Sequence, residues 1–528
     1  MARGKLTKII GGIVGIAIIA GIGYAVYRNA NDKDKDANQN LILSLSSTPR
    51  TMNPLYANSN SSLVVTDAMY EPVYNIGVNG KIEFNGLAKS ITHSEDAKTY
   101  TLTLKSGLKW SDGKPLTAKD VVFTFDAIMN PKNNALLTQT FMIDGKAIKA
   151  KVVNDTTVEF TLPAPSLGFE QNLAQLYPIP EHIYKNVTDL KNAPENNMPV
   201  GDGPYKFVSE QEGSMVTLVR NDDFYGEKAN ISNLIFKVIP NENAGIAALE
   251  SGELSVGSLS EKLLENQKIS DNYNVEKFGS GLVNTVIFNF TNKDLQNLKV
   301  RQAIAYALNR EELTKAEYGN SKYVEPANSV FSPETQYYTN DVDTYNYNLE
   351  KAQNLMKESG VKDLTLRLAY AAGFKWAQNQ ALVIQQELGK IGIKVELEPV
   401  ELNSFFQEIF TPHSDKYDLA INGYNMGTTP DGYSTVFTTD GANNASNFSN
   451  PEIDELFKQA QTSTSEAQRE ELYKEIQNKL SEELPLYTIN YPETILGVSK
   501  KLSGIKEAVP TPIALMQNFG ALYYNNDK

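Results

Sequence analysis

Cysteine is absent from this chain of 528 residues. Its absence excludes disulfides, thiolate metal ligands, iron–sulfur clusters, cysteine nucleophiles and lipid anchors attached through cysteine. Histidine occurs only three times, as His93, His182 and His413, and the wide intervals argue against a site built from several histidines. We therefore expect no metal and no cofactor.

Positive charge is also scarce. Lysine and arginine total 49 against 63 acidic residues, which gives a formal net charge of −14. Nucleic-acid binding needs a basic surface, so no nucleic-acid partner is expected. At roughly 100–200 residues per domain, a chain of this length is expected to form two to four domains.

One apolar segment stands out near the beginning of the chain. Residues 9–26 carry no charge, follow a basic stretch at 1–8 and precede a polar linker at 28–40. Such a segment is near the lower limit for spanning a bilayer, and the basic end predicts a cytoplasmic N-terminus. A cleaved secretory signal is the alternative. Both interpretations place the rest of the chain outside the cytoplasm.

Strand-like and helix-like stretches alternate along the remainder, which is typical of α/β proteins. Polarity alternates with a period of two at 41–47, 100–105 and 157–162, and residues 393–400 predict a further strand.

Helix starts are marked by capping residues. Thr117 predicts the N-cap of a helix that runs through Met129, and Asn450 followed by proline predicts a second start. Ser463 and Glu466 have the spacing of a capping box.

Sequence signatures of catalysis are missing. The chain contains no G-x-S-x-G elbow, no phosphate-binding G-x-x-x-x-G-K-[ST] and no H-E-x-x-H. The glycine-rich segment 201–204 includes a proline that removes an amide donor, so it predicts a tight turn. Carboxylate pairs are abundant, and spacing alone leaves a glycoside hydrolase open as an alternative.

Short motifs in a fixed order resemble those of the extracellular solute-binding proteins, family 5, which serve peptide ABC importers as oligopeptide- or dipeptide-binding proteins. The longest, Leu108–Val121, combines a tryptophan, a turn and a helix start. The motifs occupy 68–73, 108–121, 200–206, 248–254, 300–304, 347–352 and 450–454.

This resemblance implies an α/β, two-lobed periplasmic-binding-protein-like fold of type II, with an extra subdomain and with lobes joined by a hinge. By position it implies lobe 1 at 41–74, 196–284 and 491–528, an extra subdomain of lobe 1 at 75–195, and lobe 2 at 285–490. Before lobe 1 we expect a basic cytoplasmic end at 1–8, a transmembrane anchor or signal at 9–27 and a linker at 28–40.

The resemblance also implies a binding protein without enzymatic activity. Such a protein captures a peptide between its lobes and delivers it to the permease subunits of an ABC importer, with a separate ATPase supplying energy. We expect a monomer held on the extracellular face of the cytoplasmic membrane by the N-terminal helix. A peptide-pheromone or sensor receptor on the same scaffold is the alternative function.

In this family an extended peptide pairs through its backbone with strands of both lobes. By position, the first-lobe partner here is the segment Asn60, Ser61, Ser62 and Leu63, with an ordinary loop as the alternative. The second-lobe partner is the segment Asn422, Gly423, Tyr424, Asn425 and Met426.

The peptide's α-ammonium group is expected to bind an aspartate shortly after that second segment. The family's Asp-Pro-Asp-Pro pattern is Thr429-Pro430-Asp431-Gly432 here, so one acid is missing and Asp431 is the expected anchor. A turn-capping role for Asp431 is the alternative.

Aromatic residues supply the expected pocket walls. Trp376, Phe405, Phe406 and Tyr424 are candidates, with core packing as the alternative for the two phenylalanines. Tyr487 is expected to contact the ligand, and Tyr487 and Tyr491 are both expected near the hinge.

Overall fold

The computed structural model describes residues 40–77, 80–143, 145–239, 241–319, 322–510 and 515–525. The predicted anchor or signal at 9–27 lies outside these residues, as do its basic flank and most of the linker. Within the described ranges, none of the helices has the length and apolar character needed to cross a membrane.

Strands occur throughout the described chain. They are β1 Asn40–Leu45, β2 Asn75–Ile76, β3 Ile82–Glu83, β4 Ala88–His93, β5 Thr99–Leu104, β6 Met142–Ile143, β7 Lys146–Ala147, β8 Lys149–Asn154, β9 Thr157–Thr161, β10 Tyr205–Gln211, β11 Met215–Arg220, β12 Asn233–Val238, β13 Val256–Ser258, β14 Tyr273–Gly279, β15 Leu282–Phe288, β16 Val324–Pro326, β17 Thr365–Ala371, β18 Lys394–Val400, β19 Leu419–Asn425, β20 Leu486–Ser499, β21 Leu502–Ser503 and β22 Tyr523–Tyr524.

Helices alternate with these strands. They are α1 Asn60–Met69, α2 Ala118–Met129, α3 Gly168–Leu173, α4 Glu181–Tyr184, α5 Glu242–Glu250, α6 Gln267–Asn272, α7 Leu298–Ala307, α8 Arg310–Tyr318, α9 Leu349–Ser359, α10 Lys375–Gly389, α11 Leu402–Ile409, α12 Ser434–Phe437, α13 Pro451–Thr462 and α14 Glu466–Glu483. Short 3₁₀ turns lie at Pro131–Asn133, Pro194–Asn197, Glu261–Glu265, Pro430–Tyr433 and Phe519–Ala521.

The long strand β20 joins the two halves of a twelve-stranded mixed sheet. Its first residues pair antiparallel with β15, where Tyr487 lies opposite Val286. Its last residues pair with β13 and β14, where Val498 lies opposite Val256 and Asn274. The turn at 280–281 connects β14 to β15 beside it, so the chain crosses between the halves at two adjacent places.

Each half of the sheet has its own hydrophobic core. The first core draws on residues 41–256 and 496–522, including the four-stranded sheet β4-β5-β9-β8, and we call this side the first lobe. Two further cores draw on 286–489 and form the second lobe. The fold is therefore the expected two-lobed α/β fold with a hinge. The predicted residue boundaries of the lobes and of the extra subdomain stay a prediction.

The capping predictions were mostly correct. Thr117 caps α2 in a complete capping box with Asp120, and the Asn450 side chain accepts hydrogen bonds at the start of α13. The predicted box at Ser463 is wrong, because Ser463 ends α13 and Ser465 is the residue that caps α14. The predicted strands are β1, β5, β9 and β18.

The glycine-rich segment packs against the end of α1. The Gly203 amide donates to the Met69 carbonyl at 2.8 Å, and a Cβ at Gly201 would overlap that same carbonyl. Glycine is required here by a close backbone approach.

Arg301, which belongs to the motif at 300–304, links separate segments of the second lobe. Its guanidinium is 2% exposed and lies 4.5 Å from the centre of the Phe290 ring. It donates to backbone carbonyl oxygens of a preceding turn and of the end of α14, those of Leu295, Gln296, Glu483 and Leu484. One side chain thus satisfies backbone groups from two separate segments.

The two lobes touch directly at Gly168. A Cβ at this position would overlap Oδ2 of Asp431 and would lie 3.2 Å from Nη2 of Arg469. Asp431 itself receives Nη2 of Arg469 at 3.0 Å and the hydroxyl of Tyr473. The amide of Gln171 in the first lobe also donates to that of Gln336 in the second. The closed arrangement therefore needs a residue without a side chain at position 168.

Replacing Arg301 by methionine is expected to lower the free energy of unfolding by about 2–4 kcal/mol, because buried carbonyls lose their donors. The neighbouring Lys299→Met is the matched control, since Lys299 forms only an exposed ion pair with Glu358 at 2.9 Å and should contribute less than about 1 kcal/mol. Denaturant titration of both variants checks this expectation. Equal losses would contradict it.

Gly168→Ala is expected to hold the lobes apart by overpacking the contact with Asp431. A cost of about 1–3 kcal/mol would shift the open–closed ratio about 5- to 150-fold toward open, seen as a larger radius of gyration in small-angle X-ray scattering. Gly389→Ala is the control, because that position has open space and an ordinary backbone conformation. An unchanged radius in Gly168→Ala would refute the role of this contact.

Candidate functional site

A cavity of about 910 Å³ lies between the lobes. Its volume falls within the range of small-molecule binding pockets. Both lobes contribute to its walls. The first lobe supplies Asn60, Leu63, Thr66, Asp67, Leu137, Met142, Phe169, Gln171 and Tyr177 among others, and the second supplies Glu334, Asn425, Met426, Thr429, Asp431, Lys458 and Gln461.

Helix α1 turns one face toward the cavity. Asn60, Leu63 and Asp67 follow each other at helical spacing on that face, and Val64 and Ala68 on the other face are buried in the first core. The expected extended segment at 60–63 is therefore wrong.

The cause of that error is a helix cap. Ser59 has extended backbone geometry, and its side chain accepts a hydrogen bond from the Ser62 amide, which starts the helix. Ser61 and Ser62 are buried, and their hydroxyls bond within the first lobe, Ser61 to Ser47 and Ser62 to the Arg50 amide. Only Asn60 and Leu63 of this segment line the cavity.

The second predicted segment is a strand, as expected. Asn422, Gly423 and Tyr424 lie within β19, and Asn425 and Met426 at its end reach the cavity wall. Strand β15 pairs along one edge of β19 from Leu419 to Asn425, whereas β17 pairs along the other edge only at Leu419 and Ala420. Among the described strands, none covers the second edge beyond Ala420.

Asp431 lines the cavity, but its negative charge is paired with an arginine of the protein itself. It is 7% exposed, and the buried Arg469 and Tyr473 both bond to its Oδ1. Each charge of a buried pair needs its partner, because removing either one would leave an uncompensated buried charge. The cation partner of Asp431 in this geometry belongs to the protein itself, and its role as an amine anchor stays a prediction.

The predicted aromatic walls lie elsewhere. Phe405 and Tyr487 are core residues at 2% and 1% exposure, and the Tyr487 hydroxyl donates to the Leu308 carbonyl at 3.0 Å. Trp376 is partly exposed at the start of α10, beside Phe374. None of these three predicted contacts lines the cavity.

The pocket-wall candidates Phe406 and Tyr424 also lie outside the cavity lining, and Tyr424 is buried within β19. Phe406 is exposed and stacks on Phe410 with ring centres 6.2 Å apart. The Tyr491 hydroxyl donates to the Ser329 carbonyl at 2.7 Å near the crossover, where it fixes the hinge strand.

Sequence reasoning missed the ionisable groups that the cavity does contain. Asp67 on α1 accepts a hydrogen bond from Tyr177, and burial raises the pKa of its carboxyl to about 7, against the lowering effect of that bond. Glu334 and Lys458 line the second-lobe side. The sequence did contain one indication of this group, because Asp67 is the single acid among the apolar residues of α1.

Metal binding has no support in this geometry. Within the described ranges, no group of three or more histidines or acids is arranged to hold a metal ion. The site instead offers isolated charges, amides, hydroxyls and a strand edge, which suit a polar organic ligand.

Comparison with known proteins agrees with this architecture. The family model for bacterial extracellular solute-binding proteins, family 5, matches residues 84–447. The oligopeptide-binding protein AppA of Bacillus subtilis is 28% identical over 483 residues, which cover 87% of this chain and 87% of that protein.

Solved structures share the fold over nearly the whole chain. The ABC transporter substrate-binding protein CtaP from Listeria monocytogenes has a TM-score of 0.87 at 34% identity, covering 93% of this chain and 100% of that one. AppA from Bacillus subtilis, solved in complex with a nonapeptide, has a TM-score of 0.79 at 25% identity, covering 94% of this chain and 100% of that one. With a family model that matches more than half of its length, this chain belongs to family 5 of the bacterial extracellular solute-binding proteins.

Proposed function

We propose that this protein captures peptides in the cavity between its lobes and delivers them to the permease of an ABC importer. The observation that carries the proposal is a cavity of about 910 Å³ whose walls come from both lobes, next to a hinge formed by two adjacent crossovers. Relatives that are oligopeptide-binding proteins support it.

The uncovered edge of β19 gives the ligand a backbone to pair with. Main-chain amides and carbonyls beyond Ala420 have no strand partner among the described residues on that side, and the strand ends at the cavity. A peptide that adds to this edge forms bonds that do not depend on its side chains, so affinity without strict sequence preference follows.

Closure is the proposed mechanism. A ligand that contacts α1 in the first lobe and the segment after β19 in the second favours the closed arrangement, because only there does it make both sets of contacts. The direct contact at Gly168 completes that arrangement. Energy for uptake would come from a separate ATPase, and the receptor itself would carry out no chemistry.

Location is part of the proposal. The family is extracellular, and residues 9–27 would hold a monomer at the outer face of the cytoplasmic membrane in place of a cysteine-linked lipid. Release after signal cleavage is the competing outcome.

Native mass spectrometry of the full-length protein, purified from its own host, should show peptides bound one per chain. The control is the same preparation unfolded, washed free of ligand and refolded, which should lose those masses and recover them on addition of the extracted peptides. A bound sugar, or no ligand after gentle purification, would contradict peptide capture.

Analysis of the N-terminus tests the anchor. Intact-mass measurement of the protein from native membranes should give the full chain, because an uncleaved helix of this length partitions into the bilayer. Recovery only of chains that begin after the apolar segment, in the soluble fraction, would contradict anchoring.

A further inference from the structure

We propose that Asp67 and Thr66 form a subsite that binds an ammonium group of the peptide, either its N-terminal amine or a lysine side chain. This inference rests on the proposed function and specifies which part of the ligand is held. It places in the first lobe an ammonium-binding role that was expected for Asp431 in the second.

The first observation is that the Asp67 carboxyl forms no ion pair among the described residues. Asp67 lines the cavity, and none of the ion pairs found among the described residues includes it. Its partner is the Tyr177 hydroxyl, which donates a hydrogen bond but carries no positive charge. Buried carboxylates normally have a charged or multiply hydrogen-bonded environment, so an approaching cation would complete this one.

The desolvation of Asp67 agrees with this geometry. Burial raises the pKa of its carboxyl to about 7, with the Tyr177 bond lowering it in part. Charged nitrogen donors bind a desolvated carboxylate more strongly than a solvated one. Glu71, the nearest acid along the chain, has its pKa raised well above the usual range by burial and by Asp202, and as an acid it offers Asp67 no positive charge.

The second observation is an orphaned hydroxyl beside that acid. Thr66 also lines the cavity and is 3% exposed, yet its Oγ1 has no hydrogen-bond partner. A buried hydroxyl without a partner costs free energy unless a ligand supplies one. An ammonium group has three donors and no acceptor, so it can serve the carboxylate and the hydroxyl together.

The other acids of the cavity are less suited. Asp431 is neutralised by Arg469 at 3.0 Å. Glu334 is partly exposed, as Asp67 is, but its carboxyl lies over Gly279 beside the hinge, away from α1. Asp67 is therefore the desolvated carboxylate that remains open to a cation.

The test uses the full-length protein, stripped of ligand and refolded, with a synthetic library of random heptapeptides that contain no lysine or arginine. Half of the library carries a free N-terminus and half is N-acetylated. A second acetylated library contains one lysine per peptide. Retained peptides are quantified by mass spectrometry for the native protein and for Asp67→Asn, which keeps the shape of the side chain and removes its charge.

The native protein should retain free-amine peptides about 10- to 100-fold better than acetylated ones, and Asp67→Asn should lose that preference while still retaining both. Preference for acetylated lysine peptides that also disappears in Asp67→Asn would assign the subsite to a side-chain ammonium. An equal preference in both proteins would overturn the subsite. Failure of the native protein to retain any peptide would instead overturn the proposed function.

Glu387→Gln is the matched control, since Glu387 is also a buried acid but lies in the second lobe and does not line the cavity. It should keep the native preference, and a loss equal to that of Asp67→Asn would refute a specific site. Thr66→Val should reduce the preference for free amines less than Asp67→Asn does. Because Asp67→Asn removes a buried charge, its thermal midpoint should not fall, which separates lost binding from lost folding.

The pH dependence of peptide retention gives an independent test of the subsite. Retention of free-amine peptides by the native protein should rise about tenfold between pH 5.5 and 7 as Asp67 ionises, below the range in which an α-amino group loses its proton. The groups that face Asp67 are the Tyr177 hydroxyl and the Glu71 carboxyl, and both persist in Asp67→Asn. That variant should give a flat profile, and a flat native profile would contradict the subsite.

Discussion

The architecture depends on one strand that belongs to both lobes. Strand β20 pairs with β15 and β16 in the second lobe and with β13 and β14 near the first. Because side chains alternate faces along a strand, a slip of one residue in β20 would misplace the core residues of both lobes at once. The hinge is therefore confined to the few residues around the crossover, where Ser280 donates to the Pro492 carbonyl. Everything that the cavity presents to a ligand follows from that shared register.

Two aspartates in the same cavity show how neighbours decide the role of a residue type. Asp431 meets a buried arginine and a tyrosine from α14, and the three groups form a closed unit that stabilises the second lobe and its contact with Gly168. Asp67 forms no ion pair among the described residues, and burial raises the pKa of its carboxyl to about 7 although the bond from Tyr177 lowers it in part. Both acids line the same cavity. Of the two, Asp67 is the one whose carboxyl can still accept a cation from a ligand.

Local signals in the sequence were sufficient for the α/β alternation and for several helix caps, because a cap such as Thr117 acts on residues three positions away. They failed at 60–63, where the Ser59 cap was overlooked and position along the chain was used instead. Phe405 and Tyr487 were misplaced for a different reason. An aromatic side chain packs equally well in a core or in a pocket wall, and the choice is made by distant segments. Asp67 was missed because desolvation is a property of the folded state, although one acid among apolar helix residues was a visible hint.

The contact at Gly168 has a consequence for how binding strength and selectivity are divided. Since Gly168 itself does not line the cavity, the stability of its contact scales the fraction of binding-competent protein, and that fraction multiplies the affinity for every peptide alike. The residues that line the cavity set the ratios between peptides. The overall affinity for peptides and the selectivity between them are thus governed by separate positions, namely Gly168 and the residues that line the cavity. Each property can therefore change in evolution without disturbing the other.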